Sequence, residues 1–215
     1  MIHAIHTTFH LAPHRLHRVD FDPATFSASD LLWLPHYAQL ARAGRKRQAE
    51  HLAGRIAAIH ALSEYDEKGV PGIGEARQPL WPAGIYGSIS HSATTALAVV
   101  SRRPVGVDIE TLFTPALSDE LADSIVDLQE QRLLRAAPLP FPLALTVAFS
   151  AKESLFKAWS AIAAPHPGFH SARVIAFGPD SLHLQPSATF SPRLAGQIFT
   201  LRWAKIAQQI VTVTQ

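Results

Sequence analysis

The stretch VGVDIE, residues 105–110, alternates apolar and polar side chains, which is the pattern of a β-strand with one buried face. In such a strand the three aliphatic residues lie on one face, and Gly106, Asp108 and Glu110 lie on the other. The two carboxylates then point the same way, with roughly 6.5–7 Å between their Cα atoms. Because like charges at this spacing repel unless a proton or a cation lies between them, the stretch predicts a metal-binding strand. A solvated edge strand is the alternative.

A helix is predicted further along the chain, over residues 143–160, and one of its faces is a polar stripe that contains Glu153 and Lys157. Mg²⁺ prefers oxygen ligands, so Glu153 is a candidate for the third carboxylate of the metal site. A lysine beside such a site suits a phosphoryl group, whose charge it helps to neutralise. The alternative for this pair is a surface ion pair one helical turn apart. Lys152 either reaches the same site or extends from the apolar stripe to solvent.

A basic segment precedes these elements. Leu52, Ile56 and Ile59 recur at helical spacing and predict a helix over about residues 45–62. Residues 42–55 hold one acid and five bases, which are Arg42, Arg45, Lys46, Arg47 and Arg55. The segment is either an anion site or a solvated helix face. Paired carboxylates also serve glycoside hydrolysis, but that interpretation leaves the basic residues without a role.

Two groups of histidines differ in their sequence context. His91 lies in the small polar segment GSISHS, residues 87–92, where a loop end can present an imidazole and backbone N–H groups to an anion. A purely structural histidine is the alternative. Five N-terminal histidines resemble a helical metal stripe, but Pro13 argues against one helix there, and we predict no metal site from them.

Composition limits the class of protein. The 215 residues include no cysteine, which excludes disulfides, thiolate metal sites and a cysteine nucleophile, and fits a reducing cytosol. The N-terminus lacks the basic flank and apolar core of a secretion signal, and every long uncharged stretch contains prolines. We therefore expect a cytoplasmic protein with no membrane span.

The remaining periodicities indicate helices and antiparallel strands in both halves of the chain. They predict a helix over 117–136, two short strands within 86–100, and strands over 172–177, 182–184, 199–204 and 210–214. The fold class is therefore α+β, and we expect two halves that meet near residues 101–105.

Four segments, in this order, resemble the 4′-phosphopantetheinyl transferase superfamily, in particular the branch of enterobactin synthetase component D. They are RKRQAEHLAGR (45–55), RQPLWPAGIYGSISHS (77–92), GVDIE (106–110) and FSAKESLFKAW (149–159). The resemblance implies an α+β fold of two similar α/β subdomains, residues 1–104 and 105–215. It further implies that they form a pseudo-twofold arrangement with the active-site cleft between them.

The resemblance also implies an activity and its residues. The enzyme would transfer the 4′-phosphopantetheine group of coenzyme A (CoA) to a serine of an apo carrier protein, with Mg²⁺, and release adenosine 3′,5′-bisphosphate. Asp108, Glu110 and Glu153 would hold the metal, and Glu153 and Lys157 would be catalytic. The CoA ligands implied by the match are Arg47, Arg55, Arg77, His91 and Lys157, with Lys152 as a further candidate.

The expected partners follow from that reaction. They are CoA and an acyl, peptidyl or aryl carrier domain of siderophore, polyketide or fatty-acid synthesis, and we expect a monomer. A metal-dependent nucleotide phosphohydrolase is the alternative enzyme, because the same acids and bases could activate water. A nucleic-acid module built on the basic helix is the non-enzymatic alternative, which the net charge of +2 supports poorly.

Overall fold

The computed structural model describes residues 2–215, which form two compact units. The first unit consists of residues 2–10 and 14–104, and the second of residues 11–13 and 105–215. No helix in the described part of the chain is both long enough and apolar enough to cross a bilayer.

The first unit is a four-stranded sheet packed against one long helix. Its elements are β1 (Ala4–Leu11), β2 (His14–Phe21), α1 (Arg45–Ser63), β3 (Gly72–Ile73), β4 (Pro79–Leu80), β5 (Tyr86–Ser92) and β6 (Thr95–Ser101), with 3₁₀ turns at Pro23–Thr25, Ala28–Leu31 and Tyr37–Leu40. The strand order is β1-β2-β6-β5, and β3 and β4 form a separate hairpin. A Cβ on Gly54 would lie 2.8 Å from Cγ2 of Ile89, so the absence of a side chain lets α1 approach β5 closely.

The second unit is a five-stranded antiparallel sheet packed against three helices. Its elements are β7 (Val107–Thr111), α2 (Pro115–Ile125), α3 (Leu128–Ala136), α4 (Phe141–Trp159), β8 (Ala172–Phe177), β9 (Ser181–Pro186), β10 (Phe199–Ile206) and β11 (Gln209–Thr214), with a 3₁₀ turn at Phe169–Ser171. The strand order is β7-β11-β10-β9-β8. The core of this unit lies between the sheet and α4, where Leu145, Leu155 and Leu201 are fully buried.

The predicted α+β class is confirmed, and so are the helices predicted at 45–62 and 143–160, which are α1 and α4. The strand predictions at 172–177 and 210–214 are confirmed as β8 and β11. Each unit has an antiparallel sheet and one 19-residue helix, whereas the pseudo-twofold arrangement stays a prediction.

The single helix predicted over 117–136 is wrong, because the chain forms α2 and α3 with a break between them. Val126 is extended, and the Asp127 side chain accepts hydrogen bonds from the backbone N–H groups of Gln129 and Glu130. Such a capping box starts a new helix, and here it outweighs the continuous amphipathic pattern.

Candidate active site

Gly106 lets strand β7 pack directly on the backbone of α4. A Cβ at this position would overlap the carbonyl oxygen of Ser154 and would lie 2.7 Å from the backbone nitrogen of Ala158. No other residue type fits such a contact, because every other side chain begins with that atom. The glycine therefore sets how closely the carboxylates of β7 approach the polar stripe of α4.

Buried hydroxyl groups align α4 with the strand next to β7. The hydroxyl of Ser154 lies 2.7 Å from the hydroxyl of Thr212 and also donates to the carbonyl oxygen of Thr212. The hydroxyl of Ser150 lies 3.0 Å from the Thr212 hydroxyl. Thr212 on β11 is the register partner of Asp108 on β7. The buried hydroxyls thus hold the helix in place, and Glu153 and Lys157 lie on the same helix.

Asp108 and Lys157 form an ion pair between β7 and α4. The Lys157 Nζ donates to Oδ1 of Asp108 at 2.6 Å and lies 3.4 Å from the carbonyl oxygen of Val107. The side chain of Asp108 is 3% exposed and that of Lys157 is 27% exposed. A nearly buried carboxylate is therefore neutralised by a lysine that solvent can still reach.

Glu110 and Glu153 are half-buried carboxyls close to this ion pair. Burial, together with the negative charges of Asp108 and Glu153, raises the pKa of Glu110 to about 7 against the opposing effect of Lys157. Burial also raises the pKa of Glu153, with Lys157 opposing and Asp108 reinforcing the shift. The three carboxylates predicted from the sequence are thus electrostatically coupled, and a cation among them would relieve the repulsion.

The chemistry of these donors fits Mg²⁺, which prefers carboxylate and water oxygens. Nowhere in residues 2–215 are three His, Cys, Asp or Glu side chains already arranged to hold a metal ion. Asp108, Glu110 and Glu153 would hold it, and this assignment stays a prediction.

Lys152 lies in the interior of the second unit. Its Nζ donates to Oε1 of Glu130 at 2.7 Å and to the carbonyl oxygen of Ile125 at 2.7 Å, and both charged side chains are at most 3% exposed. Glu130 also accepts hydrogen bonds from the backbone N–H groups of Asp127 and Val174. This network connects α3, α4 and β8, so we propose a structural role for Lys152 in place of the predicted contact with CoA.

An apolar cavity of about 260 Å³ adjoins Glu153. Its apolar lining includes Phe156, Phe169 and Phe190, and Lys152 and His166 also line it. A carboxyl group at the edge of an apolar cavity can meet the polar end of a mostly uncharged ligand.

The first unit brings the predicted basic residues together around a second cavity, of about 130 Å³. Arg47, Arg55, Arg77 and His91 all line it, together with Glu50, His51 and apolar neighbours. The lining contains three positively charged guanidinium groups and one carboxylate, so its net positive charge suits an anion. A larger cavity, of about 630 Å³, shares Arg47, His51 and Arg77 in its lining and adds Arg42 and Glu75.

The guanidinium of Arg55 also organises the chain around this cavity. It donates from Nε to the carbonyl oxygen of Pro71 at 2.8 Å, and from a terminal nitrogen to that of Gly72 at 2.9 Å. Burial lowers its pKa to about 10, so it stays charged at neutral pH. Arg77 lies beyond these residues in the β3–β4 hairpin, with a φ of 64°.

Comparison with known proteins identifies the family of this chain. Two family models match it: the 4′-phosphopantetheinyl transferase N-terminal domain over residues 36–101, and the 4′-phosphopantetheinyl transferase superfamily over residues 104–209. This chain belongs to the 4′-phosphopantetheinyl transferase superfamily. The predicted family is therefore confirmed.

Individual members of the superfamily are similar over most of the chain. "Enterobactin synthase component D" of Salmonella typhi is 52% identical over 97% of this chain and 88% of its own length. The protein of that name from Escherichia coli K12 is 63% identical over 71% of this chain and 74% of its own. A "4′-phosphopantetheinyl transferase Npt" of Nocardia iowensis is 31% identical over 71% of this chain and 73% of its own.

Sequence reasoning missed three residues that line the cavities of this superfamily member. Arg42 was noted as basic without a role, and His51 and Glu75 were not singled out. The available signal was helical spacing, because His51 lies one turn after Arg47 and one turn before Arg55 on α1. Glu75 lies in a hairpin turn, where no such periodicity exists.

Proposed function

We propose that this chain transfers the 4′-phosphopantetheine group of CoA to a serine of an apo carrier protein and releases adenosine 3′,5′-bisphosphate. The observation that carries the proposal is the close set formed by Asp108, Lys157, Glu110 and Glu153 on β7 and α4, in a chain of this superfamily. Coupled carboxylates beside a lysine are suited to the cleavage of a diphosphate, which depends on positioning and charge neutralisation.

The basic cavity of the first unit supports CoA as the substrate. Among residues 2–215, Arg47 and Arg77 make no side-chain hydrogen bond or ion pair, so their donors are available to an anion. We propose that these residues, together with Arg55 and His91, bind phosphate groups of CoA. Arg55 has less donor capacity left, because two of its N–H groups bind backbone carbonyls.

Residues of the second unit would carry out the transfer. When bound by Asp108, Glu110 and Glu153, Mg²⁺ would supply charge neutralisation for the diphosphate. Lys157 donates to the departing phosphate, and Glu153 accepts the proton of the carrier serine. A carboxylate within reach of the serine hydroxyl is a suitable acceptor for that proton. The apolar cavity beside Glu153 would accommodate the uncharged pantetheine arm.

The partner we propose is a carrier domain of siderophore synthesis, because the relatives at 52% and 63% identity are named for enterobactin synthase. CoA as substrate and the cysteine-free composition support a cytoplasmic location. We further propose that a monomer is active, because one chain supplies both sets of residues. Activity that follows a monomer peak in size-exclusion chromatography would support this, and activity confined to a larger species would oppose it.

A carrier-loading assay tests the proposed function. The protein, CoA and Mg²⁺ are incubated with a siderophore carrier domain, and intact-mass spectrometry is expected to show the gain of one phosphopantetheine. A carrier with its serine changed to alanine is the matched control and should gain nothing. Failure to load any of several apo carriers would refute the proposal. Rapid hydrolysis of CoA without a carrier would favour the phosphohydrolase.

A further inference from the structure

Two histidines of the first unit meet beside the basic cavities. His51 on α1 lines both cavities, and its Nε2 lies 2.9 Å from Nε2 of His36, with the rings nearly perpendicular at 79°. His36 immediately precedes the 3₁₀ turn Tyr37–Leu40 and is only 8% exposed. A contact between two ring nitrogens at this distance is a hydrogen bond, so one nitrogen carries the proton and the other accepts it.

Both imidazoles are neutral at neutral pH. Burial, together with the neighbouring Arg55, His36, Arg47 and His91, lowers the pKa of His51 to about 3. Burial and the charge of Arg55 also lower the pKa of His36. Each ring therefore carries one proton, and the tautomer of one determines that of the other.

The second nitrogen of His36 decides between the two tautomer pairs. Its Nδ1 is buried and has no hydrogen-bond partner in residues 2–215. A proton there would leave a buried N–H unsatisfied, which is rarer in proteins than an unsatisfied acceptor. The favoured arrangement places the His36 proton on Nε2, where it is donated to Nε2 of His51. The proton of His51 is then on Nδ1, the nitrogen that remains for a ligand.

We propose that His51 donates an N–H to a phosphate of CoA, and that His36 is a positioning residue that holds His51 in the tautomer able to donate. The inference rests on the proposed function. The same cavity lining supplies Arg47 and Arg77 as charged donors, and His51 adds a donor without adding charge. In the opposite tautomer, Nδ1 would present a lone pair to the anion and repel it, so the neighbouring imidazole affects how tightly the site binds phosphate.

Nitrogen NMR of the histidine-labelled full-length protein, without ligand, tests the tautomer. Chemical shifts are expected to show His51 protonated at Nδ1 and His36 at Nε2, with the signals assigned from the spectra of His36→Gln and His51→Asn. A neutral His51 protonated at Nε2 would overturn the proposal. This readout does not depend on activity.

Calorimetric titration with CoA tests the role in binding, using matched substitutions. His51→Leu is expected to weaken CoA binding by at least about tenfold, the loss of one hydrogen bond to a charged group. His51→Asn keeps an N–H near the position of Nδ1 and should retain most of the affinity. His36→Phe should weaken binding severalfold, whereas His36→Gln, with an N–H near the position of Nε2, should restore it.

The exposed His10, changed to Phe, is the control and should leave CoA binding unchanged. Unaltered CoA affinity in folded His51→Leu or His36→Phe overturns the inference while leaving the proposed function intact. A wild-type protein that does not bind CoA would instead overturn the proposed function. If His36→Phe does not fold, the tautomer measurement on the wild-type protein decides.

Discussion

The Nζ atom of Lys157 lies 2.6 Å from Oδ1 of Asp108, so a lysine of α4 neutralises a nearly buried carboxylate of β7. The pair connects the two elements that carry all the acidic residues predicted from the sequence. It also places a positive charge beside the two half-buried carboxyls, Glu110 and Glu153, whose pKa values are raised. Several consequences of this arrangement and of its surroundings can be measured.

Changing Asp108 to asparagine should lower the rate of carrier loading by at least about a hundredfold, the scale of losing a preorganised electrostatic partner. The substitution keeps the shape of the side chain and removes its charge. Intact-mass kinetics at saturating CoA measure the effect. Asp119→Asn makes the same change at an exposed position of α2 and should have no effect. Near-normal turnover of Asp108→Asn would remove this residue from the mechanism.

Gly106→Ala should destabilise the protein by at least about 2 kcal/mol, because the new methyl group would overlap the backbone of α4. Urea unfolding followed by circular dichroism gives the free energy of unfolding. Gly69→Ala is the comparison, since a Cβ at Gly69 would meet no atom within 4 Å. Equal stability of the two variants would mean that the close approach of β7 and α4 does not depend on the glycine.

Lys152→Met should destabilise the protein by about 3–5 kcal/mol, because it leaves the buried carboxylate of Glu130 without its cation. Adding Glu130→Gln should recover part of this loss, since the amide oxygen can still accept the backbone N–H of Val174. Denaturant unfolding of the wild type, both single variants and the double variant measures the coupling.

The same Lys152→Met variant tests whether Lys152 binds CoA. Under conditions where it is folded, its affinity for CoA should be within about twofold of the wild type, because we assign no substrate contact to this ammonium. A loss of tenfold or more in the folded variant would restore the interpretation that Lys152 is a phosphate ligand.

Acidification should destabilise the first unit through a cluster of histidines. The rings of His6 and His60 stack at 3.7 Å between centroids, and Nε2 of His6 lies 3.1 Å from Nδ1 of His17. Burial and the neighbouring positive charges lower the pKa of His6 to about 4, and burial lowers that of His17. The unfolded chain protonates these groups near their ordinary pKa of 6.5, so it binds more protons than the folded chain below that pH.

The free energy of unfolding should therefore fall as the pH drops from about 7 to about 4, the window between the unfolded and folded pKa values of His6. His6→Phe keeps an aromatic ring against His60 and should make this dependence shallower. His10→Phe changes an exposed histidine nearby and should leave the slope as it is. If His6→Phe also left the slope unchanged, the cluster would not be the source of acid sensitivity.

The sequence alone predicted β7, α1 and α4, because in each of them the spacing of apolar residues shows which face is buried. Period-two alternation identified β7, and apolar spacing identified α1 and α4 to within two residues at each end. The same patterns selected the site residues, because a carboxylate or a lysine in a polar stripe is visible without knowledge of its neighbours. Asp108, Glu110, Glu153 and Lys157 were recognised in this way, and their roles stay proposals.

Local sequence patterns did not predict interactions between side chains that are distant in the sequence. The position of Lys152 in the sequence is typical of a surface or site residue, yet Lys152 pairs in the interior with Glu130, which lies on another helix. The break between α2 and α3 was missed because the capping of Asp127 interrupts a pattern that remains amphipathic on both sides.

By itself, the amino-acid sequence determined the α+β class, the family and the set of acids and bases from which a site can be built, since all of these depend on residue type and local spacing. Only the tertiary structure showed which charged groups pair inside the fold, as Lys152 does, and that His51 lies beside the arginines and His91 at the basic cavity. The physical reason is that burial and hydrogen-bond partners are set by contacts between residues distant in the chain. These contacts change the pKa and the tautomer of a group, and the local sequence around that group does not show them.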